Sequence, residues 1–395
     1  GQTESLNCRA VTPRRIEVRG AFGMIAALHT QNNSEIITAL ADGNIEQRLQ
    51  TVSGVRSVAV LEKLVTAEGE LVFAKPPAAV LDITGTAAVR EVKLLTGKAV
   101  VKGEIRASCA WRAEGETTLQ SQTASLPFQQ VVDLDGIAED CKCLCVLEPV
   151  GFSVTEGEQD SSQLTANVMM HLHAWRPFQL QTAADAFSTR YETNLTPQER
   201  AVDDLACLLN ETSSATANGP LPDAGAQLRA CFVSYGPVQI DWRDGRPELT
   251  VRAVATAFAE NSLAELESYE KPLRFPLPAE VPPETQLFPE CWLSTENVQC
   301  SCSGGTLEVT VTARAEGAVL CRKTFTAIGE ISLGEPLTAA DPEIALRIYY
   351  AQEGEKPFDI ARRFHVSPAQ MLAANGLDAG TQALPQAQHF LVPSV

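Results

Sequence analysis

The chain has 395 residues, 45% of them hydrophobic and 20% charged. At roughly 100–200 residues per domain, that is material for two to four domains with buried cores. Its 31 basic and 49 acidic side chains leave a net charge of -18. This excludes a nucleic-acid polyanion or an anionic membrane surface as the main partner, since no cationic surplus is left to meet phosphates. No apolar run reaches the ~18 residues of a spanning helix, so no membrane insertion is expected.

The chain opens on Gly1 and lacks the basic-then-apolar start of a signal peptide, which suggests an expressed fragment. Eleven cysteines, without a CxxC, read as reduced thiols and not as a disulfide framework. Cys141, Cys143 and Cys145 alternate, as do Cys300 and Cys302, so each set shares a strand face and reads as small buried side chains.

In chain order, similar segments recur at about 148 residues. The run Arg15–Gly20 precedes Gln163–Val168 by 148, and Leu307–Thr312 is a third version. Gly97 and Gly245 sit in turns 148 apart, with Val92 and Ile240 at the same offset before them. Leu126-Pro127-Phe128 and Phe275-Pro276-Leu277 lie 149 apart, and Cys141 and Cys291 lie 150 apart. The chain is therefore expected to open with the tail of a first repeat, residues 1–48. Two fuller repeats follow, 49–190 and 191–341, and a different module closes the chain, 342–395. Val92 should match Ile240, Pro127 should match Pro276, Cys141 should match Cys291, and Leu164 should match Leu307.

Alternation from Val100 to Ala107, a strand-rich run over Gln163–Trp175 and frequent Gly turns make the repeats mainly β and sandwich-like. One segment departs from this. Thr196-Pro197-Gln198-Glu199 carries helix-start signals and Val202, Leu205, Leu208 and Leu209 follow at helical spacing, which predicts a helix near 197–210. Residues 211–226 read as a linker.

His171-Leu172-His173 puts two imidazoles on one strand face, a half-buried face more readily than a metal site. Asp133-Leu134-Asp135-Gly136 reads as a turn, because a calcium loop needs further ligands at fixed spacing. There is no G-x-S-x-G, P-loop, G-x-G-x-x-G or H-E-x-x-H. No enzyme, no cofactor and no metal are expected.

The last 50 residues read as β-α-α-β. Arg347–Ala351 is strand-like, and Gly354-Glu355-Lys356-Pro357 turns into a helix with Phe358, Ala361 and Phe364 on one face. Ser367-Pro368 starts a second helix that ends at Asn375-Gly376, and Phe390–Pro393 is the last strand.

This module resembles a LysM domain. The matching marks are Tyr349-x-x-x-x-Gly354, Ile360-Ala361-x-x-Phe364, Val366-Ser367, Leu372-x-x-Asn375 and the final strand ending at Pro393. LysM domains bind N-acetylglucosamine chains of peptidoglycan or chitin in a groove between two loops. By that resemblance the groove residues are Gly354, Glu355 and Lys356, with Asn375, Gly376 and Leu377. Glu355-Lys356 replaces the usual Asp-Thr, so the donors at the groove edge differ. The run Asp185-Ala186-Phe187-Ser188-Thr189-Arg190-Tyr191-Glu192, Gly97–Gly103 and Leu126-Pro127-Phe128 look like the SPOCS domain. Pro13–Arg19 shares that likeness. Tandem SPOCS domains followed by LysM is the layout of a clostridial spore-coat morphogenetic protein.

The resemblance implies a non-catalytic scaffold of spore-coat assembly in the mother-cell cytoplasm, at the forespore surface. It would dock a coat morphogenetic protein, the coat-basement ATPase, through LysM and offer protein-binding faces on its repeats. The alternative is a cell-wall protein anchored to peptidoglycan by LysM. A third reading is an enzyme whose site lies in the repeats.

Overall fold

The structure is a computed structural model. It describes residues 2–12, 14–23, 30, 34–116, 119–156, 161–263, 265–282, 286–338 and 347–393. The expected boundary between 341 and 342 lies outside these residues.

The chain is mainly β. A hairpin of β1 (Gln2–Thr12) and β2 (Arg15–Gly23) comes first. Then follow β3 (Ile45–Val72), β4 (Pro77–Leu95), β5 (Lys98–Ala113), β6 (Leu119–Asp133), β7 (Lys142–Glu156) and β8 (Ser161–Ser188). The next six are β9 (Tyr191–Pro220), β10 (Gln227–Arg243), β11 (Arg246–Glu260), β12 (Leu266–Leu277), β13 (Gln286–Ser303) and β14 (Thr306–Pro336). The close is β15 (Arg347–Ala351), α1 (Pro357–Phe364), α2 (Pro368–Ala374) and β16 (Gln388–Val392).

Strands β3 to β8 form two sheets, ordered β4-β5-β6 and β3-β8-β7. Strands β9 to β14 form two more, ordered β10-β11-β12 and β13-β14-β9. The second pair repeats the order of the first. Each pair encloses one apolar core, as a sandwich does. The first holds Val101, Ile105 and Trp111 of β5 with Leu164, Val168 and Leu172 of β8. The second holds Leu249, Val251 and Ala255 of β11 with Leu307, Val309 and Val311 of β14. Alternation produces this: β5 reads buried at Val101, Gly103, Ile105 and Ala107, with charged residues between.

The ladders fix which positions correspond. Gly97 and Gly245 both take φ 75 in the hairpins that open β5 and β11, a conformation that glycine tolerates best. Val92 faces Val101 and Ile240 faces Leu249, three pairs from each turn, so these two do correspond. Leu164 and Leu307 face Val154 and Cys302 and begin the buried apolar rows of β8 and β14. The other two expected pairs are corrected. Pro127 faces Glu104 while the corresponding Arg252 faces Arg274, so Arg274 takes Pro127's place and Pro276 sits two residues further on. An even shift keeps each side chain on its face, and Leu126 and Leu273 are both buried. Cys143 corresponds to Cys291, since they face Ala174 and Gly317. Cys141 instead closes the turn before β7, its amide donating to the Ala138 carbonyl at 3.1 Å.

The helix expected at 197–210 is not formed, and of the linker expected at 211–226 residues 211–220 are strand while 221–226 form the turn before β10. β9 runs through to Pro220. Leu209 enters the second core, Leu205 packs against the cluster of Leu144, Val146, Trp175 and Ala318, and Leu208 is exposed. Apolar residues on both faces of one strand imitate helical spacing, and pairing with β14 overrides the capping signals. Pro197 is tolerated because β9 is the edge of its sheet. Asp133–Gly136 forms the expected turn, with the Leu134 amide donating to the Gly97 carbonyl at 2.9 Å.

By packing, the chain divides into two compact units. Gly1–His29, Val55–Pro177 and Asp203–Arg322 make the first; Thr30–Gly54, Phe178–Val202 and Lys323–Val395 make the second. The first contains both sandwich cores. The second contains the β-α-α-β module and a small apolar cluster of Ala183, Ala186 and Ile328 with Ile37, Leu40 and Leu195.

Candidate functional site

The C-terminal module builds its core from Ala351, Ile360, Ala361, Met371 and Phe390. Pro357 opens α1 and Pro368 opens α2, each at a position where a missing N–H costs nothing. His365 ends α1 in the left-handed conformation, and Gly376 follows α2 with φ 64.

The six expected groove residues fall into two sets. The Gly354 amide donates to the Leu384 carbonyl and the Leu384 amide to the Glu355 carbonyl, both at 2.9 Å. The Glu355 carboxylate accepts from the Gln352 amide at 2.7 Å and the Tyr349 hydroxyl at 2.8 Å. The Gln352 amide holds that carboxyl below its usual range, helped by Tyr349 and Arg363. Glu355 is therefore tied within the module. Lys356 is the N-cap of α1, exposed, with no side-chain cap bond.

The second set is held differently. The Asn375 side chain donates to the Met371 and Leu391 carbonyls and accepts from the Leu391 amide, at 2.8, 2.8 and 2.7 Å. It ties α2 to β16. Gly376 is exposed, and Leu377 packs on the module core. Among the described residues no hydrogen bond joins the two sets.

Sequence reasoning did not assign the anchor of this module. Phe187, in β8, is 1% exposed and belongs to the module's core, edge-on to Phe358 at 5.3 Å. Arg362 Nη1 donates to both carboxylate oxygens of Asp185 at 2.9 Å, the Ala186 amide donates to Oδ1 at 2.9 Å, and Arg48 lies 3.5 Å away. Arg48 also bonds Asp359 at 3.0 Å. His365 Nδ1 lies 3.2 Å from the Ser188 carbonyl. A cleft of about 450 Å³ lies beside this anchor, lined by Phe187, Glu192, Thr193, Asp359, Arg362, Arg363 and His365. The signal was present in Asp185–Glu192, whose bulky and charged side chains have no counterpart in a plain strand.

The two sandwiches of the first unit share a seam. Leu144, Val146, Trp175 and Ala318 are buried there, with Leu205, Trp292 and Leu320. His173 is buried in it, with Nε2 2.9 Å from Ser57 Oγ and Nδ1 3.5 Å from Glu290. Its ring lies tilted by 33° against Trp175, with the ring centroids 3.8 Å apart. His171 lies 3.3 Å from Glu62 and 3.1 Å from Glu148, and tilts over Trp292 at 5.4 Å. Those carboxylates are distant in sequence, so the spacing of the two histidines did not show them. Among the described residues no cluster of three or more His, Cys, Asp and Glu is arranged to hold a metal. Cys143, Cys145 and Cys291 are free thiols. Burial pushes the Cys143, Cys145 and Cys291 thiols up to about 12. No helix of the described residues is long and apolar enough to cross a membrane.

No curated protein and no solved structure matches this chain. A family model does: that of the SipL, SPOCS domain matches residues 78–155, the stretch from β4 through β7. That part of the chain is similar to the SPOCS domain, a likeness consistent with a sporulation-related role.

Proposed function

We propose that the chain is a non-catalytic scaffold of spore-coat assembly, working in the mother-cell cytoplasm at the forespore surface. The observation that carries this is the SPOCS match over β4 to β7, in a sandwich whose strand order returns in β9 to β14. Two sandwiches of one topology offer two related protein-binding faces, and the β-α-α-β module adds a third. The module's LysM-like motifs supply the docking end, with Lys356 and the Asn375-Gly376-Leu377 turn at its rim. Lys356 is exposed, so it is placed to steer a charged partner.

The second reading is a wall protein anchored to peptidoglycan. The β-α-α-β order of the module favours it, because LysM domains of that order hold glycan. The full chain and its Lys356→Glu variant separate the two. Each is sedimented with purified peptidoglycan and captured on immobilised coat-basement ATPase at several salt concentrations. The scaffold reading expects salt-sensitive ATPase capture that Lys356→Glu weakens, and little co-sedimentation. Saturable co-sedimentation without capture makes the wall reading the better one.

A further inference from the structure

The β15–β16 hairpin has one closed edge and, among the described residues, one open one. Antiparallel partners alternate between pairs that exchange both backbone hydrogen bonds and pairs that exchange none. Ile348 faces Leu391, and Tyr350 faces His389. The Leu391 N–H and C=O both go to the Asn375 side chain, at 2.7 and 2.8 Å. Ile348–Leu391 is therefore a pair that exchanges none, and Tyr350–His389, two residues on, is another. The main-chain groups of Ile348 and Tyr350 consequently point away from β16. Among the described residues no hydrogen bond meets them. The side chains of the same two residues are 58% and 54% exposed, and with Leu391 and His389 they make an apolar and aromatic face. An open edge and an apolar face in the same residues form a template for adding a strand.

We propose that β15 pairs antiparallel with β15 of a second copy of this chain, about a two-fold axis at Tyr349. The inference does not depend on the coat reading. The register is self-complementary. Ile348 falls opposite Tyr350 of the second copy, and each pair exchanges two main-chain hydrogen bonds. Arg347 falls opposite Ala351, so no like charges meet. The module from Arg347 onward carries four basic and four acidic side chains, so the net charge of -18 resides elsewhere. Two such acidic chains can approach along this stretch with little local repulsion. A five-residue strand makes a small contact, so the pairing is weak and concentration-dependent.

Sedimentation velocity of the full chain over low to high micromolar concentration tests this with two double variants. Ile348→Lys/Tyr350→Lys sets like charges opposite each other twice and should weaken dimerisation roughly tenfold or more. Ile348→Lys/Tyr350→Glu sets opposite charges in the same two pairs and should keep the dimer. Both change only exposed side chains, and circular dichroism checks that they fold. Dimerisation kept by Lys/Glu and lost by Lys/Lys supports the pairing. A wild-type chain that stays monomeric throughout, a dimer indifferent to Lys/Lys, or one lost equally in both folded variants overturns it.

Discussion

Replacing Phe187 by alanine tests whether a strand outside the C-terminal module completes that module's core. The ring is 1% exposed and touches Phe358 edge-on, with His365 at 6.5 Å. A buried Phe→Ala change costs about 3–5 kcal/mol, the transfer term plus the cavity that is left. Some of this, about 0.5–1.5 kcal/mol, is shared with Phe358 as an aromatic pair, so Phe187→Ala and Phe358→Ala should be non-additive by that amount. Global denaturation of a chain with several cores is not a two-state readout. Hydrogen exchange resolves the module instead. The amides of Val366, Met371 and Leu384 are bonded to Ala361, Ser367 and Glu355. Their protection should fall by roughly two to three and a half orders of magnitude, at 1.4 kcal/mol per decade. Unchanged protection at these three amides would refute the role assigned to Phe187.

The charges at the same anchor should respond asymmetrically. Asp185 has an 11% exposed side chain, against 37% for Arg48 and 47% for Arg362. Arg48→Met/Arg362→Met strands a buried carboxylate and should cost about 3–5 kcal/mol, while Asp185→Asn should cost about 1 kcal/mol, read by the same exchange experiment. Glu316 has its carboxyl pushed above the usual value of 4.5 by burial, against the pull of Arg314. The native state then holds the proton more tightly than the unfolded state, so this group loses stability as pH rises from 4.5 through its native pKa. Glu316→Gln should remove that slope in urea melts taken across pH 4 to 8. With their pKa values near 12, Cys143, Cys145 and Cys291 should resist iodoacetamide in the native chain and react once it is unfolded, as mass spectrometry of the peptides will read.

Much of the sandwich architecture was legible because period-2 burial is written directly into the strands. Val101, Ile105 and Ala107 alternate with Lys102, Glu104 and Arg106, and the second sandwich repeats this at Val251, Ala253 and Ala255. The glycine turns gave the offset, since φ 75 at Gly97 and Gly245 narrows the choice of residue. What failed was register beyond the turns. Loop lengths differ between the sandwiches, and a pattern of period 2 looks the same after a shift of two, as with Pro276. β9 failed for a second reason. Leu205, Leu208 and Leu209 lie three and four apart although only Leu205 and Leu209 are packed, in the seam and the core, while Leu208 is exposed, so their spacing reads as helical.

The module at the C-terminus was legible in its elements but not in its attachments. Caps and turns are local, and Pro357, Pro368 and Gly376 mark them in the sequence. The partners of Asn375 and Glu355 are not local in that sense. A loop motif shows that Asn and Glu are present, and says nothing of whether they face a ligand or the backbone. Here Asn375 spends three hydrogen bonds on Met371 and Leu391, and Glu355 two on Gln352 and Tyr349. A side chain so engaged can meet a ligand only by giving up bonds that hold the module together. Among the described residues neither the Lys356 side chain nor the main chain of Ile348 and Tyr350 has such an engagement. The α1 N-cap and the β15 edge can therefore bind without breaking those bonds, whereas the Asn375 and Glu355 side chains cannot.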